Sequence, residues 1–388
     1  MKPVLASTAA AVCFAAVAAA QPHYFIIDLG ALPGGNFSQA NALNQNRLVT
    51  GLSTVADGTQ HAVLWGGPFH LDIGPAGVNS GAFGVNDNGQ VAVQLELASK
   101  DPNNENFCAY GTGRKCVAAR WQQGVMTPLP TLGGNNATVG VINNRGEIPG
   151  VAENAVIDPE CPAGVALGGT GPQLLDFEAV IWGPGPNDIR QLHPLPGDTV
   201  GIALGVNDSG QVVGTSGRCS NTLLPPIAGG PHAVLWEKDG SVHDLGNLGG
   251  TVNTAIPGPQ NIGFSINNAG QVTGLAAMPD GLSGHAFLWT KETAKMRDLG
   301  VLPGDATSLG AAINDRGQIA GISIDAHGNA RPYLWQNGTM SDLNDLVIGG
   351  AHLHLIFSSG INNSGEISGF GVTAAGEMHG FLASPVNK

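Results

Sequence analysis

Four histidines head the same short pattern, His-Ala-Phe/Val-Leu-Trp or a near copy of it, at His61, His232, His285 and His379. Imidazoles repeated module by module could converge on an axis and hold a metal ion, or each could satisfy a carboxylate inside its own module. The second use is expected. The same position is lost in the shortened copy at Ala118 and is taken by Glu178 and Arg331 elsewhere, so a histidine is not needed in every module. His232 should lie beside Asp244 and tie two strands together. His352 and His354 alternate and so share one face of a strand, but no third ligand lies nearby to complete a zinc site. The Asn-Asp-x-Gly segments lack the distal bidentate Glu and the every-second-residue ligands of a calcium loop. Asp158, Glu160 and Glu178 sit in long connections, where a pair of carboxylates could serve polymer hydrolysis if held some 5–10 Å apart. No Gly-x-Ser-x-Gly elbow, phosphate loop or dinucleotide fingerprint occurs. No catalytic residue, metal or cofactor is therefore assigned.

The chain of 388 residues carries a formal net charge of −13, and its 16 basic residues form no run longer than the Arg114-Lys115 pair. Nucleic acid and anionic lipid both need clustered cations, so neither is an expected partner. Met1-Lys2-Pro3, an Ala-rich apolar run and Ala18-Ala19-Ala20 have the form of a secretory signal peptide cleaved after Ala20. Residues 21–388 then form the mature, secreted or periplasmic protein, free of the membrane and expected to be a monomer. Cys108, Cys116, Cys161 and Cys219 remain, and an even count in an exported chain favours disulfides.

The elements that must position these groups repeat. Asn-x-x-Gly begins at Asn86, Asn143, Asn207, Asn267, Asn314 and Asn362, with a degenerate copy at Asn44 where Arg47 replaces the glycine. The His-Ala-Phe pattern ends in Trp65, Trp121, Trp182, Trp236, Trp289 and Trp335, and in Ala383 in the seventh copy. Asp-Leu-Gly-x-Leu-x-Gly stands at Asp28, Asp244 and Asp298, with weaker copies at Asp72, Leu129, Leu192 and Asp342. Each pattern occurs seven times in one rotation.

Each unit reads as four strands, here A to D. Strand A runs into the Asn turn, where side chains cap local backbone and glycine supplies the positive φ. Strand B follows, the Trp-ended segment is strand C, and Asp-Leu-Gly is strand D. Both faces are largely apolar, so the sheets must be covered on both sides. An all-β, seven-bladed β-propeller of four-stranded antiparallel blades meets that need. The chain opens with a lone D pattern, Tyr24–Leu29, and stops after a C pattern, so the terminal strands should lie side by side and close the ring. A phasing in which each blade begins at D gives the same count.

The B–C connection is short in blades 5 and 6 but long in three consecutive blades, at residues 94–117, 152–177 and 215–231. All B–C connections leave one face, so these insertions should form one raised patch. Cys108 and Cys116 share the first insertion, and Cys161 and Cys219 occupy equivalent insertions of neighbouring blades, which gives the expected pairing. Asp101, Asn103, Asn104, Tyr110, Arg114, Lys115, Asp158 and Glu160 are the patch's candidate ligand-binding residues.

These motifs resemble the extracellular HAF repeat family, whose His-Ala-Phe signature stands intact at His285-Ala286-Phe287. The resemblance covers essentially residues 23–383 and implies an exported bacterial protein, with no catalytic residues to carry over. The expectation is a secreted, non-enzymatic binding or scaffolding propeller for a glycan or an extracellular or envelope protein. A propeller hydrolase or lyase on an extracellular polymer, and a purely structural surface protein, are the alternatives.

Overall fold

A computed structural model describes residues 21–67, 69–161, 172–185, 187–222, 229–250 and 260–386. The proposed leader, residues 1–20, lies outside the described residues. The described residues form seven sheets, each built on four antiparallel strands, arranged as a seven-bladed β-propeller. Blades 1 to 6 span residues 38–72, 80–128, 133–192, 200–244, 262–298 and 305–342.

The seventh blade settles the phasing. Its strands Leu353–Ile361, Ile367–Thr373 and Met378–Val386 come from the C-terminal end, and its outer strand is His23–Asp28. That strand pairs antiparallel with Met378–Val386 from His23↔Val386 to Asp28↔Phe381. A fifth strand, Val347–Gly350, adds in parallel to His23–Asp28, which the four-strand pattern did not anticipate. The connection from blade 6 to blade 7 folds back there and covers an outer edge that would otherwise be unpaired.

Strand-C alternation builds the contacts between blades. Phe287 and Trp289 pack towards blade 4 in a cluster with Val213, Ala233 and Leu235, while Ala286 and Leu288 face blade 6 with Ile313, Tyr333 and Trp335. The same arrangement recurs around the ring, and Leu382 of blade 7 packs with Val49, Val63 and Trp65 of blade 1. Burying both faces of every sheet is the main driving force for closure.

Strand B can approach strand A closely only because it carries glycine. A Cβ at Gly274 would lie 1.9 Å from the carbonyl oxygen of Ile262. There strand A holds one extra residue, a bulge between Gly263 and Ser265 that increases its twist near the axis.

Hairpins that alternate ends put the A–B and C–D turns on one face of the ring and the B–C and D–A connections on the other.

Candidate functional site

On the A–B face the Asn turns do more than turn. Asn207 Oδ1 accepts from the backbone N–H groups of Ser209 and Gln211, both at 3.0 Å, and Gly210 takes a φ of 83°. Its Nδ2 reaches out of the blade and donates to the carbonyl oxygen of Asn267 in the next one, at 3.0 Å. The equivalent bond runs from Asn44 to Asn86, on through Asn143, Asn207, Asn267, Asn314 and Asn362, and back to Asn44, with every distance between 2.9 and 3.2 Å.

A second ring of bonds accompanies the first. Side-chain oxygens of Asp87, Asn144, Asp208, Asn268, Asp315, Asn363 and Gln45 each accept from the backbone N–H at the same position of the preceding blade. The expected local cap by Asp is thus a cap on the neighbour. These residues border a polar axial cavity of about 170 Å³.

The degenerate copy is compensated at the seam. Arg47 adopts a φ of 66° in place of glycine, and its Nε lies 3.0 Å from Glu366 of blade 7.

The repeated histidines stay within their own blades. His61, His232, His285 and His379 place Nδ1 at 2.9–3.0 Å from Asp72, Asp244, Asp298 and Asp28, joining strand C to strand D. The same aspartates accept from the N–H two residues on, as Asp298 does from Gly300 at 2.7 Å. Where the histidine is replaced, the pair adapts. Arg331 ion-pairs with Asp342 and Asp305 in blade 6. In blade 3 Glu178 lies against Gln191, and burial, reinforced by the Asp176 carboxylate, pushes its carboxyl up to about 8. In blade 2 the equivalent positions are Val117 and Pro128, with Pro128 opposite Ala119, so neither side chain can make such a pair.

On the opposite face the three insertions gather. Cys108–Cys116 pins the first insertion to its own strand C, and Cys161–Cys219 joins the insertions of blades 3 and 4. These are the pairings expected from the sequence. Arg218 grips both oxygens of Glu160 beside the second disulfide, with Nε 2.7 Å from Oε2. Phe107, Phe177, Val200, Ile202 and Ile262 surround the four sulfurs, and Tyr110, Leu204 and Phe264 pack against them. Asp158, Cys161 and Cys219 are the only cluster of possible metal-ligand atoms among the described residues, and both sulfurs are committed to the disulfide.

Beneath the first insertion lies a buried acid network. Asn136 Nδ2 donates to Asp101 at 3.0 Å, Glu105 at 3.3 Å and Glu153 at 3.0 Å. Glu105 also accepts from the N–H groups of Leu174 and Leu175 at 2.7 and 2.9 Å, so it ties blade 2 to the blade 3 insertion. Burial, and then the Glu105 carboxylate, raise Glu153 to about 9. Two carboxylates facing each other away from water disfavour double ionisation.

The candidate patch residues divide accordingly. Asp101 is buried, capping Asn103 and Glu105. Asn103 is half-buried against it. Asn104 is exposed with a φ of 57°. Arg114 donates to the Gly77 carbonyl and Lys115 to Asn135. Asp158 accepts from the Glu160 N–H, and Glu160 is held by Arg218. Tyr110 is different: it borders a cavity of about 580 Å³ between blades 1 and 2.

Most of that cavity comes from residues the sequence reading did not single out: Gln39, Asn41, Gln60, Asn79, Phe83 and Gln94. The available signal was polar side chains alternating into an otherwise small-residue strand, Ser38-Gln39-Ala40-Asn41.

A larger groove, about 890 Å³, lies at the outer seam of blades 7 and 1. Its charged residues Asp28 and Arg47 are already paired with His379 and Glu366.

Two disulfides fit an oxidising compartment. Among the described residues no helix is long and apolar enough to cross a membrane.

No family model matches the chain, and no curated protein does. Solved structures do. An oligogalacturonate lyase from Vibrio parahaemolyticus superposes with a TM-score of 0.52 at 11% identity, covering 93% of this chain and 97% of that one. A Mycobacterium tuberculosis puromycin-hydrolyzing peptidase gives a TM-score of 0.52 at 11% identity over 93% of this chain. This chain spans 56% of that peptidase's length. At this identity the likeness is one of fold alone.

Proposed function

We propose that this chain is an exported, non-catalytic binding propeller of the HAF repeat type, whose working surface is the face bearing the three long B–C insertions. Its ligand class is a glycan or an extracellular or envelope protein. One observation carries the reading: the bracing of loops that the propeller frame does not need. Blade 6 closes the same connection with the tight turn Asp325–Asn329. In blades 2 to 4 the described parts of the insertions are instead held by two disulfides, a two-pronged ion pair and a buried acid network, and ordering such segments costs conformational entropy. Val156 and Ile157, 61% and 69% exposed, add apolar surface on this side.

A polymer-cleaving role has less support. Glu105 and Glu153, the carboxylates nearest each other under the insertions, are fully buried and engaged with backbone N–H groups.

The test is a screen of the purified protein against glycans and cell-envelope fractions. It is repeated on a variant whose residues 101–113 are replaced by the blade 6 turn. Loss of the hit supports the reading, and undiminished binding rejects it.

A further inference from the structure

Resting on the loop-face reading, we propose that the cavity between blades 1 and 2 is a binding site for one or two units of a neutral glycan. The lining chemistry points there. A sugar hydroxyl donates and accepts at once, and carboxamides do the same, so amides are suited to pairs of neighbouring hydroxyls. Five amide side chains border the cavity, those of Gln39, Asn41, Gln60, Asn79 and Gln94.

Their hydrogen bonding is graded. Asn79 is fixed from behind by Glu96 at 2.8 Å, and Gln94 donates to the Cys108 carbonyl at 3.0 Å. Asn41 spends its Nδ2 on the Ala82 carbonyl, which leaves its oxygen to accept. Among the described residues the side-chain amides of Gln39 and Gln60 have no protein partner, so both can turn to a ligand. A rigid rear set and an adaptable front set position a small polar ligand without a large ordering cost.

Phe83, Tyr110 and Leu52 supply apolar surface on the same cavity, which the C–H face of a pyranose would cover. Tyr110 is placed there by the insertion: it follows Cys108 by two residues, and Cys108 is tied to Cys116. Its hydroxyl is buried against the blade and has no well-formed hydrogen bond, so the aromatic body rather than the phenol is the usable part.

Charge selects against acidic sugars. Among the described residues the lining contains no Lys, Arg or His, and its one charged group is the exposed carboxylate of Asp57. A uronate or sulfated unit would meet repulsion with nothing to compensate it. The volume, about 580 Å³, lies within the range of small-ligand sites. The site is also local to one blade junction. In blade 6 the positions matching Gln39 and Asn41 are Leu309 and Ala311, so the repeat itself does not require the amides.

The experiment measures affinities of the purified chain for neutral manno-, cello- and chito-oligosaccharides, with oligogalacturonates as the anionic arm, by titration calorimetry. At least one neutral series should bind, and Gln39→Ala and Gln60→Ala should each weaken it about tenfold, the effect of one lost hydrogen bond. Neither substitution removes a hydrogen bond within the fold, so unchanged melting is expected alongside. Phe83→Ala should weaken binding further.

Binding of oligogalacturonates alone, or of no member of the panel, overturns the proposal. So does a neutral glycan whose affinity is unchanged in both Gln variants. If that glycan is lost only on exchange of residues 101–113, the loop face still binds and this cavity does not.

Discussion

His379 Nδ1 lies 3.0 Å from Asp28 Oδ1, a contact across 351 residues that makes the last blade a composite of both chain ends. Asp28 accepts from the Gly30 N–H at 2.8 Å as well, so it stitches strand D and caps its exit together. Asp28→Ala should destabilise the protein by about 1–3 kcal/mol through loss of both bonds, read from urea denaturation. Asp244→Ala removes the corresponding bonds inside one continuous blade, and should cost a similar amount while leaving the N-terminal strand as protease-resistant as before. Equal N-terminal protection in the two variants would mean that Asp28 does not hold the closure.

The inner Asn ring separates turn formation from ring formation. Asn207→Asp keeps an oxygen for the Ser209 and Gln211 amides but sets a carboxylate against the Asn267 carbonyl. It should lower the melting temperature, and Asn207→Ala should lower it further, by the equivalent of about 2–4 kcal/mol for several bonds lost at a buried site. An Asp variant as stable as the parent would show that the inter-blade bond contributes nothing.

The two disulfides should differ in weight. Cys161–Cys219 closes 58 residues and Cys108–Cys116 only 8. Chain entropy alone then assigns about 4 and about 2.5 kcal/mol to them. Paired Cys→Ala variants, compared by denaturation midpoint, should fall in that order; the reverse order would count against the insertions of blades 3 and 4 being tied through that bond.

Stability should decline as pH rises above the ordinary carboxyl range. Glu153 and Glu178 are held at about 9 and about 8 in the fold, chiefly by burial, so the folded state binds more protons than the unfolded chain across that span. Their contribution is complete below about 4.5 and is lost progressively through about pH 8 to 9. Melting temperature against pH should show this fall, and Glu153→Gln should flatten its upper part. A slope unchanged in that variant would mean that Glu153 does not titrate there.

Much of the frame was legible because each repeat states its own strands. The seven Asn turns and the Trp-ended third strands imply the blade count directly. The lone D pattern at Tyr24–Leu29 was compatible with a composite last blade or with blades that each begin at D, and the pairing of His23–Asp28 with Met378–Val386 decides between them. The pairing of His232 with Asp244 follows from hairpin register. The rings were not legible, because the partner of Asn44 Nδ2 is a carbonyl 42 residues away on another blade. The fifth strand at Val347–Gly350 was hidden for a similar reason, since its pairing depends on the far terminus. The site was the least legible part. Charged loop residues drew attention to Asp101 and Glu160, yet these are bound within the insertions. The freer polar groups, Gln39 and Gln60, sit in strands of blade 1, where only a break in the small-residue pattern marks them.

The most direct test of the loop-face account is hydrogen–deuterium exchange of the protein with and without a glycan or envelope component that it binds. The expected result is ligand-dependent protection in residues 101–113 and 172–175, with the turns at 44–47, 207–210 and 314–317 unaffected. Protection confined to those turns would place the binding surface at the axial mouth on the other face and contradict the account.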